Sequence, residues 1–442
     1  MWQALCGNLT YPLWDLKEGR GRLTELRSLQ ASQFWSAAQL QQLQLDRLQS
    51  MVAYAYRYCR FYQERDGKPP RIECIEDIRS IPLLNKSDIS GTESRFLSSQ
   101  FDRGALIGAK TGGSTGVALR VFFDATCQKK RNAAAMRTDG WAGWAPGALI
   151  ASLWGSPPVA KTLKQRLRNL LHDRVFYLDT MHLDAATMGE FAAEMRRRRA
   201  AMLFGHAHSL FIFASFLRDS TIDVPCVRGI ISTSMMLIEP ERRVIEEVFR
   251  CPVTNRYGCE EVGLIASECE IHRGMHMNAE HVVVEFLRDD NSWAEPGEEG
   301  RIVVTDLVNH GMPLIRYVVG DLGVPSGGVC PCGRGLPLME GLTGRSADFL
   351  RRRDGALVAG VSLVEKTLTA IDGIEQLQIV QNGLDEFVLN VVPAAGYDTA
   401  SENALCGVMH DVFGADARIR VAKVERLSQE RNSKYRFAIC RV

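Results

Sequence analysis

Three hydroxyl side chains and three glycines fall within the seven residues Lys110-Thr111-Gly112-Gly113-Ser114-Thr115-Gly116. Glycines let backbone N–H groups approach an anion without Cβ interference, and Ser and Thr add rotatable donors. Thr111, Gly112, Gly113, Ser114, Thr115 and Gly116 therefore suit phosphate oxygens, although the same composition also marks ordinary surface turns. The run lacks the spacing and the Gly-Lys-Ser/Thr ending of a P-loop NTPase. A second run, Asn255-Arg256-Tyr257-Gly258-Cys259-Glu260-Glu261-Val262-Gly263, sets paired acids beside an aromatic and a glycine. A carboxylate oxygen there suits Mg²⁺ held with a nucleotide; the alternative is a solvated turn. In Leu314-Ile315-Arg316-Tyr317-Val318-Val319-Gly320-Asp321, Asp321 ends an apolar strand where it can accept from ribose hydroxyls. Gly341-Leu342-Thr343-Gly344-Arg345-Ser346-Ala347-Asp348 and Asn432-Ser433-Lys434-Tyr435-Arg436 complete the set. Taken singly, each of these last three reads first as a turn or a solvated charge.

Cysteine and histidine form a separate constellation. Cys330-Pro331-Cys332 is a tight Cys-x-Cys, and Glu268-Cys269-Glu270-Ile271-His272-Arg273-Gly274-Met275-His276 adds one Cys and two His. Three thiolates and an imidazole can make a tetrahedral Cys₃His structural zinc from Cys269, His276, Cys330 and Cys332, with His272 the alternative to His276. The spacing matches no standard zinc finger, and reduced, uncoordinated thiols are the competing reading.

The elements that must position these residues follow from periodicity. Residues 1–100 read mainly as helix, with Leu23, Leu26, Leu29 and then Leu40, Leu43, Leu48, Met51 and Val52 at helical spacing. From the glycine-rich run to about Thr343, strands such as Ala148–Trp154, Ala201–Gly205 and Arg228–Ser234 alternate with helices such as Asp184–Arg198 and Glu239–Phe249. That alternation predicts a parallel sheet in an α/β domain. After Glu280 the chain turns to strands, read as a small β subdomain. From about residue 345 a compact α+β unit follows. The fold class is therefore α/β: a large N-terminal domain of α/β layers plus a β subdomain over 1–344, and a small α+β lid over 345–442.

Bulk properties exclude several classes. A 442-residue chain with 46% hydrophobic and 24% charged residues is an ordinary globular composition. The net charge of +1 gives no reason to expect nucleic acid. The N-terminus lacks a signal-peptide pattern, and the most apolar run, Ala201–Leu217, is interrupted by His206 and His208. A cytoplasmic protein with no membrane partner is the expectation; the oligomeric state is not legible.

The order and spacing of the five motifs resemble the adenylate-forming acyl-ligase superfamily. Within it they resemble the phenylacetate–CoA ligase-like branch, with its capsular polysaccharide biosynthesis relatives, from about residue 50 to the end. Pro82-Leu83-Leu84-Asn85-Lys86-Ser87-Asp88-Ile89 is similar to that branch's lead-in segment. The resemblance implies that the Thr111–Gly116 loop wraps the β- and γ-phosphates of ATP, that Tyr257, with Gly258, stacks near adenine and that Glu261 binds Mg²⁺. It implies that Asp321 and Arg345 hold the ribose. It also implies that Lys434 reaches from the lid to bridge the carboxylate and the α-phosphate, offsetting charge in the in-line transition state. Some members of the branch carry a metal at the Cys/His cluster. Val117-Ala118 stands where many relatives have Lys-Pro, Glu260 where Ser or Thr is usual, and Ser433 where glycine is common.

The activity implied is ATP- and Mg²⁺-dependent activation of a carboxylic acid to acyl-AMP with pyrophosphate release. The acyl group then passes to a thiol, CoA in the first instance. Transfer to a carrier protein, an amine or a hydroxyl is one rival; an inactive nucleotide-binding scaffold is another. The acid itself is not legible. Trp141, Trp144, Phe204, His206, His208 and Ser234 to Met236 are pocket candidates that read equally as core.

Overall fold

The computed structural model describes residues 2–17, 19, 21–110, 119–155, 162–237, 239–343, 349–425, 427 and 438–442. Two strands, β1 (Ile107–Lys110) and β2 (Arg120–Phe123), pair antiparallel as a hairpin on either side of residues 111–118. An 11-stranded sheet follows. Its parallel part comprises β3 (Ile150–Trp154), β4 (Val175–Asp179), β5 (Met202–His206), β6 (Gly229–Thr233) and β7 (Val253–Cys259), in the spatial order β4-β3-β5-β6-β7. Helices Ala185–Arg198, Ala207–Asp219 and Glu239–Phe249 make the crossovers. Covered strands need no polar face, and β6 is accordingly buried along its whole length. Asp184 starts the first of these helices by accepting from the Thr187 N–H, as its sequence position predicts.

The strands read from sequence as a β subdomain continue this sheet as its antiparallel part. They are β8 (Gly263–Glu268), β9 (Met275–Met277), β10 (Val282–Leu287), β11 (Gly300–Asp306), β12 (Tyr317–Pro325) and β13 (Leu338–Leu342). The order runs on from β7 as β8-β9-β13-β12-β11-β10. The α/β and β parts thus share one sheet.

The N-terminal region is helical as expected. Ser36 and Gln39 form a capping box that starts helix Ala37–Tyr58. Leu48, Val52 and Ala55 of that helix pack in one core with Val282, Phe286, Ile302 and Tyr317. Burying a side chain of this size contributes roughly 1.5–3 kcal/mol. The lead-in segment adds itself to the sheet: the Leu84 N–H donates to the Arg316 carbonyl, and the Val318 N–H donates to the Leu84 carbonyl, both at 2.9 Å.

The C-terminal unit holds a hairpin of β14 (Phe349–Arg351) and β15 (Leu357–Ala359), helix Gly360–Ala370, β16 (Ile374–Gly383), β17 (Glu386–Pro393), helix Thr399–Phe413, β18 (Arg418–Lys423) and β19 (Ala438–Cys440). Its four-stranded sheet has the order β18-β17-β16-β19. The β16–β17 turn falls one step beyond Asn382-Gly383, at Leu384-Asp385. Leu363, Leu377, Leu389 and Leu405 build its apolar core, which Met181 of the large unit also joins.

Candidate active site

Two buried carboxylates organise the site, and each is held by a tyrosine from the other's segment. Tyr257 lies near the end of β7 and donates its hydroxyl to Asp321 Oδ2 on β12 at 2.8 Å. Tyr317 begins β12 and donates to Glu261 Oε1, in the turn after β7, at 2.9 Å. All four side chains are buried.

A bulge accompanies each pair. The β7–β8 register shifts between Tyr257 and Gly258. There an ideal Cβ on Gly258 would lie 2.5 Å from the Gly263 carbonyl oxygen, so only glycine lets the two strands approach. On β12, Val318 faces Val303 but Leu322 faces Arg301, leaving extra chain between them. Gly320 sits in that interval with φ of 90°, a conformation that costs glycine little. Bulges re-aim side chains, and here the re-aimed residue is Asp321.

Lys86 supplies the cation. Its Nζ lies 3.4 Å from Glu261 Oε1, and both side chains are nearly excluded from solvent. The Leu84 bridge to Tyr317 brings the lead-in segment to this point. Burial raises the Glu261 pKa, but the Lys86 ammonium, a backbone N–H and the Tyr317 hydroxyl outweigh it and hold the carboxyl below its ordinary value. Arg131 fixes the turn: it donates to the Glu260 and Glu261 carbonyls at 3.0 and 2.6 Å and to Asp306 at 2.8 Å. An ionised buried carboxylate neutralised by one exchangeable ammonium fits a Mg²⁺–phosphate group, because that ion is commonly held by one or two carboxylates plus phosphates.

Of the residues singled out in sequence, Tyr257, Gly258, Glu261 and Asp321 are therefore brought together. Thr111, Gly112, Gly113, Ser114, Thr115, Gly116, Arg345 and Lys434 lie outside the described residues. The strands flanking the loop are in place, and Lys110 and Arg120 at its base pair with Asp372 of the C-terminal unit at 3.3 and 3.5 Å. Lys86, Arg131 and Tyr317 were not assigned roles from sequence.

The Cys/His constellation also assembles. The ligand atoms of Cys269, His276, Cys330 and Cys332 all lie within 4.8 Å of one another. Cys269 Sγ and Cys330 Sγ are 3.6 Å apart, and Cys332 Sγ is 3.3 Å from His276 Nε2. A tetrahedron with Zn–S bonds of about 2.3 Å has edges of about 3.8 Å, so this donor set fits zinc. The Leu336 carbonyl accepts from His276 Nδ1 at 3.3 Å, which leaves the Nε2 lone pair facing the thiols. Burial lowers the His276 pKa to about 4, keeping the ring neutral. His272 instead turns to Glu268, at 3.3 Å.

The pocket candidates divide. Trp141 and Trp144 line a cavity of about 310 Å³ with Leu26, Gln33, Met136 and Arg137. His206 packs at a tilt against Trp154 with ring centroids 4.3 Å apart, and Arg256 lies over Phe204 while pairing with Asp139 at 2.7 Å. His208 pairs with Glu241.

A sheet with a parallel and an antiparallel part, two buried acids held by crossed tyrosines and a small α+β unit make up a fold that this chain shares with a solved acyl-CoA ligase. In sequence the chain is similar to CapK and to phenylacetate–coenzyme A ligase. It is 22% identical to protein CapK of Staphylococcus aureus over 410 residues, 90% of this chain and 88% of that one. It is 25% identical to phenylacetate–coenzyme A ligase of Thermus thermophilus over 378 residues, 80% of this chain and 81% of that one. The CapK C-terminal domain model matches residues 350–441. Among solved structures, 2-hydroxyisobutyryl-CoA ligase in complex with 2-HIB-AMP and CoA superimposes with a TM-score of 0.62 at 17% identity, over 93% of this chain and 92% of that one.

Proposed function

We propose that this chain is an ATP- and Mg²⁺-dependent ligase that converts a carboxylic acid to acyl-AMP, releases pyrophosphate and passes the acyl group to CoA. The observation that carries the reading is the pair of crossed tyrosine–carboxylate contacts, with Glu261 kept ionised beside Lys86. It is supported by relatives that are CoA ligases, one of them solved with an acyl-AMP and CoA.

In this scheme Glu261 offers its carboxylate to the magnesium ion, and Asp321, oriented by Tyr257, takes the ribose hydroxyls together with Arg345. The 111–116 loop surrounds the β- and γ-phosphates. Lys434 stands between the substrate carboxylate and the α-phosphate, where a compact cation on a flexible stem offsets developing charge. Residues 345–442 act as the lid, and the segment at Gly360 approaches for the second step. Cys269, His276, Cys330 and Cys332 hold a structural zinc; with four protein ligands no position is open for catalysis.

A pyrophosphate-release screen over carboxylic acids, with CoA thioester formation followed separately, tests the activity. Lys434→Ala should abolish acyl-AMP formation while leaving ATP binding measurable. Adenylation at the wild-type rate in that variant would remove Lys434 from its role. Hydroxylamine-trappable acyl-AMP without CoA transfer would redirect the second step to an amine, a hydroxyl or a carrier protein.

A further inference from the structure

The N-terminal helical segment is packed with its apolar face outward. Trp2–Leu5, a π-helical turn Cys6–Thr10 and Tyr11–Lys17 run on as one helical segment. Its inward side chains are Cys6, Tyr11 and Asp15, the last paired with buried Arg22 at 3.7 Å. Its outward ones are Trp2, Leu5, Leu9, Leu13 and Leu16, with Leu9 50% and Leu13 54% exposed. A surface helix of a globular protein normally turns its leucines the other way.

A second outward apolar row adjoins it. Helix Leu163–Arg168 and the π-helical turn Asn169–Asp173 expose Leu163, Leu167 and Leu170, Leu163 by 74%. The two segments are locked together: Tyr11 stacks on His172 with centroids 4.2 Å apart, and the Thr10 hydroxyl donates to the Leu171 carbonyl. Eight of the 16 large apolar side chains exposed among the described residues thus lie on two adjoining segments.

The charge around this face is mainly basic. The described residues of 2–19 and 162–174 hold five Lys and Arg against two Asp. Both acids are engaged, Asp15 by Arg22 and Asp173 by Arg168. Lys164, Arg166 and Arg168 are exposed on the same turns as Leu163 and Leu167. Leucines and a tryptophan beside lysine and arginine suit the boundary between anionic headgroups and acyl chains. A second copy of the chain fits less well, since a two-fold interface would set this basic surface against itself. No helix among the described residues is long and apolar enough to cross a membrane, so the association concerns a surface.

We propose that this face seats the protein on an anionic lipid bilayer, with the leucines entering the interface and the basic side chains pairing with headgroup phosphates. Co-sedimentation of the full chain with phosphatidylglycerol/phosphatidylcholine vesicles tests it. Wild type should bind these vesicles, bind pure phosphatidylcholine far more weakly, and be released by about 0.5 M salt. Leu9→Gln/Leu13→Gln/Leu167→Gln should lose at least about tenfold in binding while melting at the wild-type temperature, because the altered side chains are exposed. Lys164→Glu/Arg166→Glu should lose about tenfold through charge alone. Wild type left in the supernatant with anionic vesicles, or unchanged binding by the leucine variant, would overturn the proposal. So would a concentration-dependent dimer, without lipid binding, that the leucine substitutions disperse.

Discussion

Lys86 Nζ and Glu261 Oε1 are 3.4 Å apart across 175 residues of sequence, in surroundings almost closed to water. Removing one partner of such a pair leaves a buried charge uncompensated. Lys86→Met should cost about 3 kcal/mol of stability by urea titration. It should also raise the KM for ATP at least about tenfold, the size of a lost charge-assisted hydrogen bond. A variant with wild-type stability and wild-type KM would show that the pair is incidental.

Tyr257→Phe keeps the ring and deletes only the hydroxyl that Asp321 accepts at 2.8 Å. The expected cost is about 1 kcal/mol in stability, with a rise in the KM for ATP that exceeds the change in kcat. An effect confined to kcat would place Asp321 at the reacting atoms instead of the ribose.

The zinc reading makes a stoichiometric prediction. Protein prepared without chelator should carry one zinc per chain, and Cys330→Ser should carry far less. Stripping the metal should lower the melting temperature, because binding free energy at such a site is folding free energy. Metal-free protein as stable as the loaded form would end the structural role.

His206 predicts the pH dependence. Burial, with the neighbouring His208 adding to it, lowers its pKa from the ordinary 6.5 to about 4. Between those values the unfolded chain binds the proton and the folded chain does not. The stability present above pH 6.5 is therefore lost progressively as pH falls, completely so near pH 4. At pH 5 the loss is about 2 kcal/mol. His206→Phe, which retains an aromatic face for Trp154, should flatten this part of the profile. A variant with the wild-type slope would locate the dependence elsewhere.

Much of this was legible in the sequence, and the limits have physical causes. Tyr257, Glu261 and Asp321 stood out because acids beside glycines at strand ends are unusual locally. Tyr317 stood in one of the same runs, yet an aromatic in an apolar strand reads as core; its hydroxyl acquires a role only from Glu261, 56 residues away. Lys86 depends similarly on the Leu84 bridge to β12. The sequence grouped Cys269 with Cys330 and Cys332 and preferred His276 to His272; the physical reason for that preference lies in the β9–β13 pairing that aligns His276 with Leu338, which no local pattern displays. Periodicity marked the N-terminal helices without revealing that one would turn its leucines outward, since the pattern defines a face and not its direction.

The bulges at Gly258 and Gly320 carry a consequence for how this site can vary. Side chains along a strand alternate between faces, so adding or removing one residue reverses everything beyond it. Tyr317 and Asp321 share one strand, and Tyr257 and Glu261 share one strand and its turn. A single-codon deletion within 257–261 or 317–321 would therefore break at least one of the crossed contacts, whereas conservative exchanges at the flanking apolar positions would leave both standing. The two segments are constrained in length more tightly than in letter.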